Sequence, residues 1–168
     1  FTGKQVIKNS NPLAMVYAGH QFGNWVPRLG DGREILLGEI LDQNNERWDI
    51  QLKGSGLTPF SRNGDGKAAL GPILREYLMS EAMHKLGIPT TLALFIAKTG
   101  ENVYREKVFP GAIITRVAKS HIRVGTFQYF ASIGKYNLVR ELMDYVIKRN
   151  CPEINIDKNQ YLSFLKFV

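Results

Sequence analysis

One cysteine, Cys151, stands among 168 residues. A lone thiol excludes an intrachain disulfide and a cysteine-built zinc site, and it favours a reducing compartment. Long apolar runs are equally scarce. Gly111 to Thr115 and Leu92 to Ala97 are far shorter than the roughly 20 residues a membrane-spanning helix needs. The sequence holds no Walker A motif and no G-x-S-x-G elbow, which removes a P-loop and an α/β-hydrolase nucleophile from consideration. His20, His84 and His121 are too widely spread for metal-ligand spacing and read as structural or capping residues, and Cys151 has no sequence partner for a nucleophile role. A basic-then-apolar leader is also missing, and the apolar pattern of Tyr161 to Val168 breaks off midway. We therefore expect this to be part of a longer protein.

Charge is present, and unevenly. Lys and Arg number 22 against 15 Asp and Glu, for a net charge of +7. The balance is −1 over residues 1–50, +6 over 51–130 and +2 over 131–168. A basic centre with interleaved acids fits a localised phosphate site better than a nucleic-acid track.

Arg33 to Leu41 and Trp48 to Lys53, joined by the Asp42-Gln43-Asn44-Asn45-Glu46-Arg47 turn, predict a β-hairpin. A glycine-dotted loop follows from Gly54 to Gly71. Pro72 at a first helical position and Gly87 as a stop then frame a helix over Ile73–Leu86. Its apolar residues cover most of the circumference, which predicts packing on more than one side, and Glu76, Ser80 and His84 share a narrow polar line. Further strands are expected at Leu92–Lys98, Val103–Val108 and Ala112–Val117, with turns at Thr99-Gly100 and Pro110-Gly111. Helices are expected at Phe127–Ile133 and Asn137–Lys148. Sheet, helix, more sheet, then helices is α+β order.

Four clusters are candidates for chemistry. Gly30-Asp31-Gly32-Arg33 offers close-approaching backbone amides beside a guanidinium, although a plain tight turn gives the same pattern. Lys53 ends a strand, and a helical Glu76 follows; a strand lysine paired with a helix glutamate is how protein kinases hold nucleotide phosphates. Asp65-Gly66-Lys67 repeats the glycine-acid-glycine-base pattern, with an Asx turn as the plain alternative. Arg116 and Arg123 are placed to grip a terminal phosphate by forked hydrogen bonds, or to pair with surface carboxylates.

Taken together, Tyr17-Ala18-Gly19-His20-Gln21-Phe22-Gly23, Leu29-Gly30-Asp31-Gly32-Arg33, Gln51-Leu52-Lys53-Gly54, Gly64-Asp65-Gly66, Arg75-Glu76, Ser80-Glu81-Ala82-Met83, Leu86-Gly87-Ile88-Pro89-Thr90-Thr91 and Ser120-His121-Ile122-Arg123 resemble the selenoprotein O family, in order from Tyr17 to about Phe130. The resemblance implies an α+β, protein-kinase-like small lobe over residues 1–125, an antiparallel sheet with one packed helix, and the first helices of a large lobe over 126–168. It implies transfer of AMP from ATP to Ser, Thr or Tyr hydroxyls of proteins, with the nucleotide reversed relative to ordinary kinases. Gly30, Gly32, Arg33, Lys53, Asp65, Gly66, Arg116 and Arg123 would then bind ATP, and Glu76 would pair with Lys53. The catalytic residue and the ligands of Mg²⁺ or Mn²⁺ would lie outside this chain. Partners would be ATP and hydroxyl-bearing proteins, with no nucleic acid and no membrane, in the cytoplasm of a bacterium or the mitochondrion of a eukaryote. Lys67 departs from the family's usual Arg, and Gly71-Pro72-Ile73-Leu74 from a more polar stretch. The competing classes are a conventional kinase and a basic nucleic-acid module using Phe127, Tyr129 and Phe130.

Overall fold

The computed structural model describes residues 8, 10–156 and 159–167. They form, in order, β1 (Gly19–Gln21), β2 (Asn24–Val26), β3 (Glu34–Leu41), β4 (Arg47–Lys53), β5 (Ala68–Ala69), α1 (Leu70–Lys85), β6 (Leu92–Tyr104), β7 (Val108–Ala118), α2 (Val124–Ser132), α3 (Tyr136–Asn150), a 3-10 turn (Pro152–Ile156) and α4 (Gln160–Phe167). The protein is α+β, and every strand pairing is antiparallel. It divides into two compact units. One contains Arg28–His121 with the described residues before Tyr17, and the other contains Tyr17–Pro27 with the described residues from Ile122 onward. No described helix is long and apolar enough to cross a membrane.

In the first unit the β3–β4 hairpin turns where the Asn/Asp cluster predicts it. Asp42 Oδ1 accepts the amides of Asn44 (2.8 Å) and Glu46 (2.9 Å), Oδ2 accepts Trp48 Nε1 (3.1 Å), and Asn45 takes φ 59°. The Glu46 amide bond leads the influences that hold the Asp42 carboxyl below its ordinary value. Sheet order is β3-β4-β7-β5, with β6 also on β7. Where the sequence suggests three short strands after Pro89, two long ones occur. Gly100, at φ 79°, falls inside β6 within a register shift between Lys98 and Asn102, and Pro110 lies in β7 opposite Asn102. A bulge absorbs both residues, so neither ends its strand.

Helix α1 begins at Leu70, so Pro72 sits inside the first turn, where an amide has no intrahelical acceptor to lose. At the other end Gly87 takes φ 74°, and Ile88 N–H reaches back to Met83 O (3.0 Å). The expectation of packing on several sides is corrected. Only Ile73 and Ser80 are buried, while Leu74, Leu78, Met79 and Leu86 are exposed. The helix meets the sheet along one stripe, where Ile73 joins Ala68, Ala112 and Ile114, and no second layer covers its outer side among the described residues. Burying Ile73 and Ile114 contributes about 2–3 kcal/mol each.

The second unit has its own core. Val146, Ile147, Cys151, Ile154 and Phe164 cluster, with Ile122, Phe127, Leu142 and Met143 packed against them. Ala18 N–H donates to Gly125 O (2.8 Å), which ties the segment preceding β1 to α2. A Cβ at Gly125 would meet Ala18 O at 2.2 Å, so that contact requires glycine.

Candidate functional site

Strand alternation places Gln51 and Lys53 of β4 on one sheet face with Ile114 and Arg116 of β7, since Gln51 pairs with Arg116 and Lys53 with Ile114. That is the face α1 covers, and Glu76, on the second turn of α1, comes down over it. Lys53 Nζ lies 2.7 Å from Glu76 Oε2 and 3.4 Å from Glu34 Oε1, where Glu34 is its cross-strand partner on β3. Arg116 donates from Nη1 to Glu76 Oε1 (3.0 Å), from Nε to Gln51 Oε1 (3.1 Å), and from Nη2 to the same Gln51 oxygen. Two carboxylates and two cations thus balance in a cluster whose side chains are at most 27% exposed.

Burial is the largest influence on the Glu76 carboxyl and would raise its pKa. The hydrogen bond and charge of Lys53, together with Arg116, outweigh it and hold the carboxyl below its ordinary value. Glu76 is therefore ionised at neutral pH, and Lys53 keeps one N–H beyond its two carboxylate contacts. The described structure leaves Gln51 Nε2 buried without a partner, although an orphaned donor costs about 1–3 kcal/mol.

Around this cluster the glycine loops have packing reasons of their own. Gly30 takes φ 67°, and a Cβ there would strike the Phe60 ring at 2.2 Å; one at Gly32 would crowd Phe60 O at 3.1 Å. Phe60 carries the Arg28 guanidinium 5.2 Å from its ring centroid, while Ser61 Oγ donates to Gly32 O (2.6 Å) and Thr58 Oγ1 donates to Asp31 O. Asp31 is fully buried and accepts Met15 N–H (3.0 Å), so its carboxylate clasps the preceding segment and does not face solvent. Arg33 is exposed at the β3 entry, and its carbonyl accepts Gly54 N–H (2.8 Å), which sets the loop beside the Lys53 end of β4.

Asp65 makes the Asx turn with Lys67 N–H (2.9 Å) and receives Arg105 in a fork of 2.7 and 2.9 Å. That fork is the main cause of its pKa, held down to about 2. Gly66 is buried at φ 67°, and a Cβ would meet Gly56 O at 1.9 Å. Lys67 pairs with Glu101 at 2.6 Å. Arg123 belongs to the second unit, at the start of α2, where its guanidinium lies 4.6 Å from the Tyr17 ring centroid. The other named residues all fall in the first unit.

Three residues that the sequence does not single out hold this arrangement: Gln51, Glu34 and Arg105. Strand register is the signal that finds the first two, because Glu34 and Lys53 are opposite one another across a hairpin and Gln51 immediately precedes Leu52-Lys53. Arg105 sits 40 residues from Asp65, and nothing local announces the pairing. A cavity of about 360 Å³ lies where Lys67, Lys98, Thr99 and Glu101 surround Gly54, Gly111 and Ile113. Gly111 and Ile113 alternate with the β7 residues that face α1. Among the described residues no group of three or more His, Cys, Asp or Glu side chains is placed to hold a metal ion.

A strand lysine gripped by a helix glutamate, beside glycine loops at the strand ends, is the side-chain pairing that protein kinases use, here on an antiparallel α+β unit. The comparisons make this specific: the chain belongs to the protein adenylyltransferase SelO family, whose model matches residues 1–168. Among its relatives is the protein nucleotidyltransferase YdiU of Rhizobium rhizogenes, 63% identical over all 168 residues. Proteins of the same name from Alkalilimnicola ehrlichii and Maridesulfovibrio salexigens are 58% identical over 168 residues and 57% over 165, or 98% of this chain. In each case the match covers 34% of the relative, so the chain spans about a third of the length of these proteins.

Proposed function

We propose that residues 1–168 are the nucleotide-binding part of a protein adenylyltransferase, which moves AMP from ATP to Ser, Thr or Tyr hydroxyls of proteins. The β-sheet unit with α1 serves as a kinase-like small lobe, and the helices after Ile122 open a large lobe. The Lys53–Glu76 pair, in a chain of this family, carries the reading. Glu76 fixes the ammonium of Lys53, whose remaining N–H reaches a phosphate oxygen. Gly30, Gly32, Asp65 and Gly66 shape the loops along the nucleotide, with Arg33 exposed beside them. Arg116 takes the far end of the triphosphate.

With the nucleotide reversed, the acceptor hydroxyl oxygen attacks the α-phosphorus and the bond to the β-phosphate breaks. Pyrophosphate leaves, and the hydroxyl proton passes to a base outside these residues. Lys53 and Arg116 offset the charge that gathers on pyrophosphate. The family resemblance assigns the ligands of Mg²⁺ or Mn²⁺ to residues outside this chain, and a metal held there would help neutralise the charge of the phosphates. The lone buried Cys151 suits a reducing compartment, which for a bacterial protein is the cytoplasm. The nucleic-acid reading is weaker because Phe127 packs into a core, its ring centroid 6.0 Å from that of Phe164, and offers no stacking platform.

The test is label transfer by the full-length protein. Label on the α-phosphate of ATP should reach protein, and label on the γ-phosphate should not. Transfer of the γ-label alone would establish a conventional kinase instead.

A further inference from the structure

We propose that Gln51 is a positioning residue for the nucleotide site: its side-chain oxygen fixes the plane of the Arg116 guanidinium, so that Arg116 both steadies Glu76 and presents its remaining donors to a triphosphate. The inference rests on the nucleotide-binding reading above and adds a residue that reading does not contain. Gln51 is fully buried in the central strand β4, directly across from Arg116 on β7. Its Oε1 accepts both Nε and Nη2 of the guanidinium, while Nη1 goes to Glu76. Three of the five N–H groups of Arg116 are thereby committed, and two are left.

A guanidinium is planar, so two bonds along one edge and a third from Nη1 define its orientation completely. Without the Gln51 contact only the single bond to Glu76 would remain, and the group could swing about it. The amide is held in an orientation that serves Arg116 and not itself. Its Nε2 is buried with no partner among the described residues, and turning the amide over would set donors against donors. A buried glutamine with one end doubly used and the other unsatisfied breaks the usual rule for interiors, and such breaks concentrate at functional positions.

The experiment uses the full-length protein and measures ATP and AMP affinity by calorimetry, with kcat and KM for ATP alongside. Gln51→Met keeps the volume but removes the acceptor, so it should weaken ATP binding about tenfold, the worth of a hydrogen bond to a charged group, with AMP affinity unchanged. KM for ATP should rise more than kcat falls. Gln51→Glu restores an acceptor for both N–H groups and should hold ATP affinity within about threefold of the parent. If Gln51→Met fails to fold, Gln51→Asn, an amide one methylene too short to reach, carries the same expectation. ATP affinity unchanged in the folded variants, or ATP and AMP weakened equally, overturns the positioning role while leaving the nucleotide site standing. A parent protein that binds ATP no better than AMP overturns the inference together with the reading beneath it.

Discussion

Replacing Glu76 by Gln removes one negative charge from a cluster that the structure shows in balance. Lys53 would keep Glu34 at 3.4 Å, and Arg116 would keep Gln51, but the 2.7 and 3.0 Å ion pairs through Glu76 would both go. Stripping one partner from a fully buried pair costs about 3–5 kcal/mol. Glu76 is 27% exposed and each cation retains a second contact, which reduces the expected loss to about 2 kcal/mol. The chain contains two tryptophans, so changing Trp25 to Phe leaves Trp48 of β4 to report the sheet in a urea titration. With a slope near 2 kcal/mol per molar, the midpoint should fall by about 1 M at pH 7.

The loss should also depend on pH. The folded carboxyl sits below its ordinary value of 4.5, so its stabilisation is complete above that value and is lost as pH falls through the lower, folded one. Parent and variant should therefore converge as pH falls through that lower value. A midpoint shift below about 0.2 M at pH 7, or one that does not shrink as the solution is acidified below the ordinary carboxyl range, would refute the claim that ion pairing through Glu76 holds α1 to the sheet.

In the full-length protein Lys53→Met should slow AMP transfer by the equivalent of about 2–4 kcal/mol in a steady-state assay; unchanged turnover removes Lys53 from the mechanism. Gly30→Ala should cost about 2–3 kcal/mol in urea unfolding, because its obstacle is the movable Phe60 ring, and Phe60→Leu should recover part of the loss. Gly66→Ala, blocked by the Gly56 backbone, should cost more and resist such rescue. Burial raises the Cys151 thiol above its ordinary pKa, so a thiol reagent should modify it only in denaturant; rapid labelling of native protein would contradict its place in the core. The 168-residue chain alone should transfer no AMP from α-labelled ATP, and transfer at the full-length rate would place the catalytic residues within it.

The parts legible in sequence are those written by local chemistry. Asp42 and Asn45 announce their turn, Gly87 announces the end of α1, and Lys53 with Glu76 announces a charge pair because a carboxylate on a packed helix needs a partner. Less legible were Gly100 and Pro110, which look like strand ends until a bulge on β6 is known to accommodate both. The apolar circumference of α1 suggested burial all round; periodicity tells which residues prefer cover, not which of them receive it within this chain. Gln51 carried no signal alone, since an amide on a strand becomes informative only once the register sets it against Arg116. Likewise, the glycines beside Asp31 and Asp65 read as room for an anion, while the structure first uses that room for Phe60 and for the Gly56 backbone.

His121 closes the first unit, three residues beyond the end of β7. Its backbone N–H donates to Asp49 Oδ2 (2.9 Å), and its side chain is almost wholly buried beside the same carboxylate, with Nδ1 at 3.6 Å. The consequence is mechanical. Tension on the chain beyond Ile122 is borne first at His121 and passed sideways to Asp49 on β4. It therefore reaches the end of the β4–β7 ladder, where Asp49 stands opposite Ala118, through a side-chain anchor as well as through the chain itself. In single-molecule pulling across the first unit, Asp49→Ala should remove that anchor and lower the unfolding force.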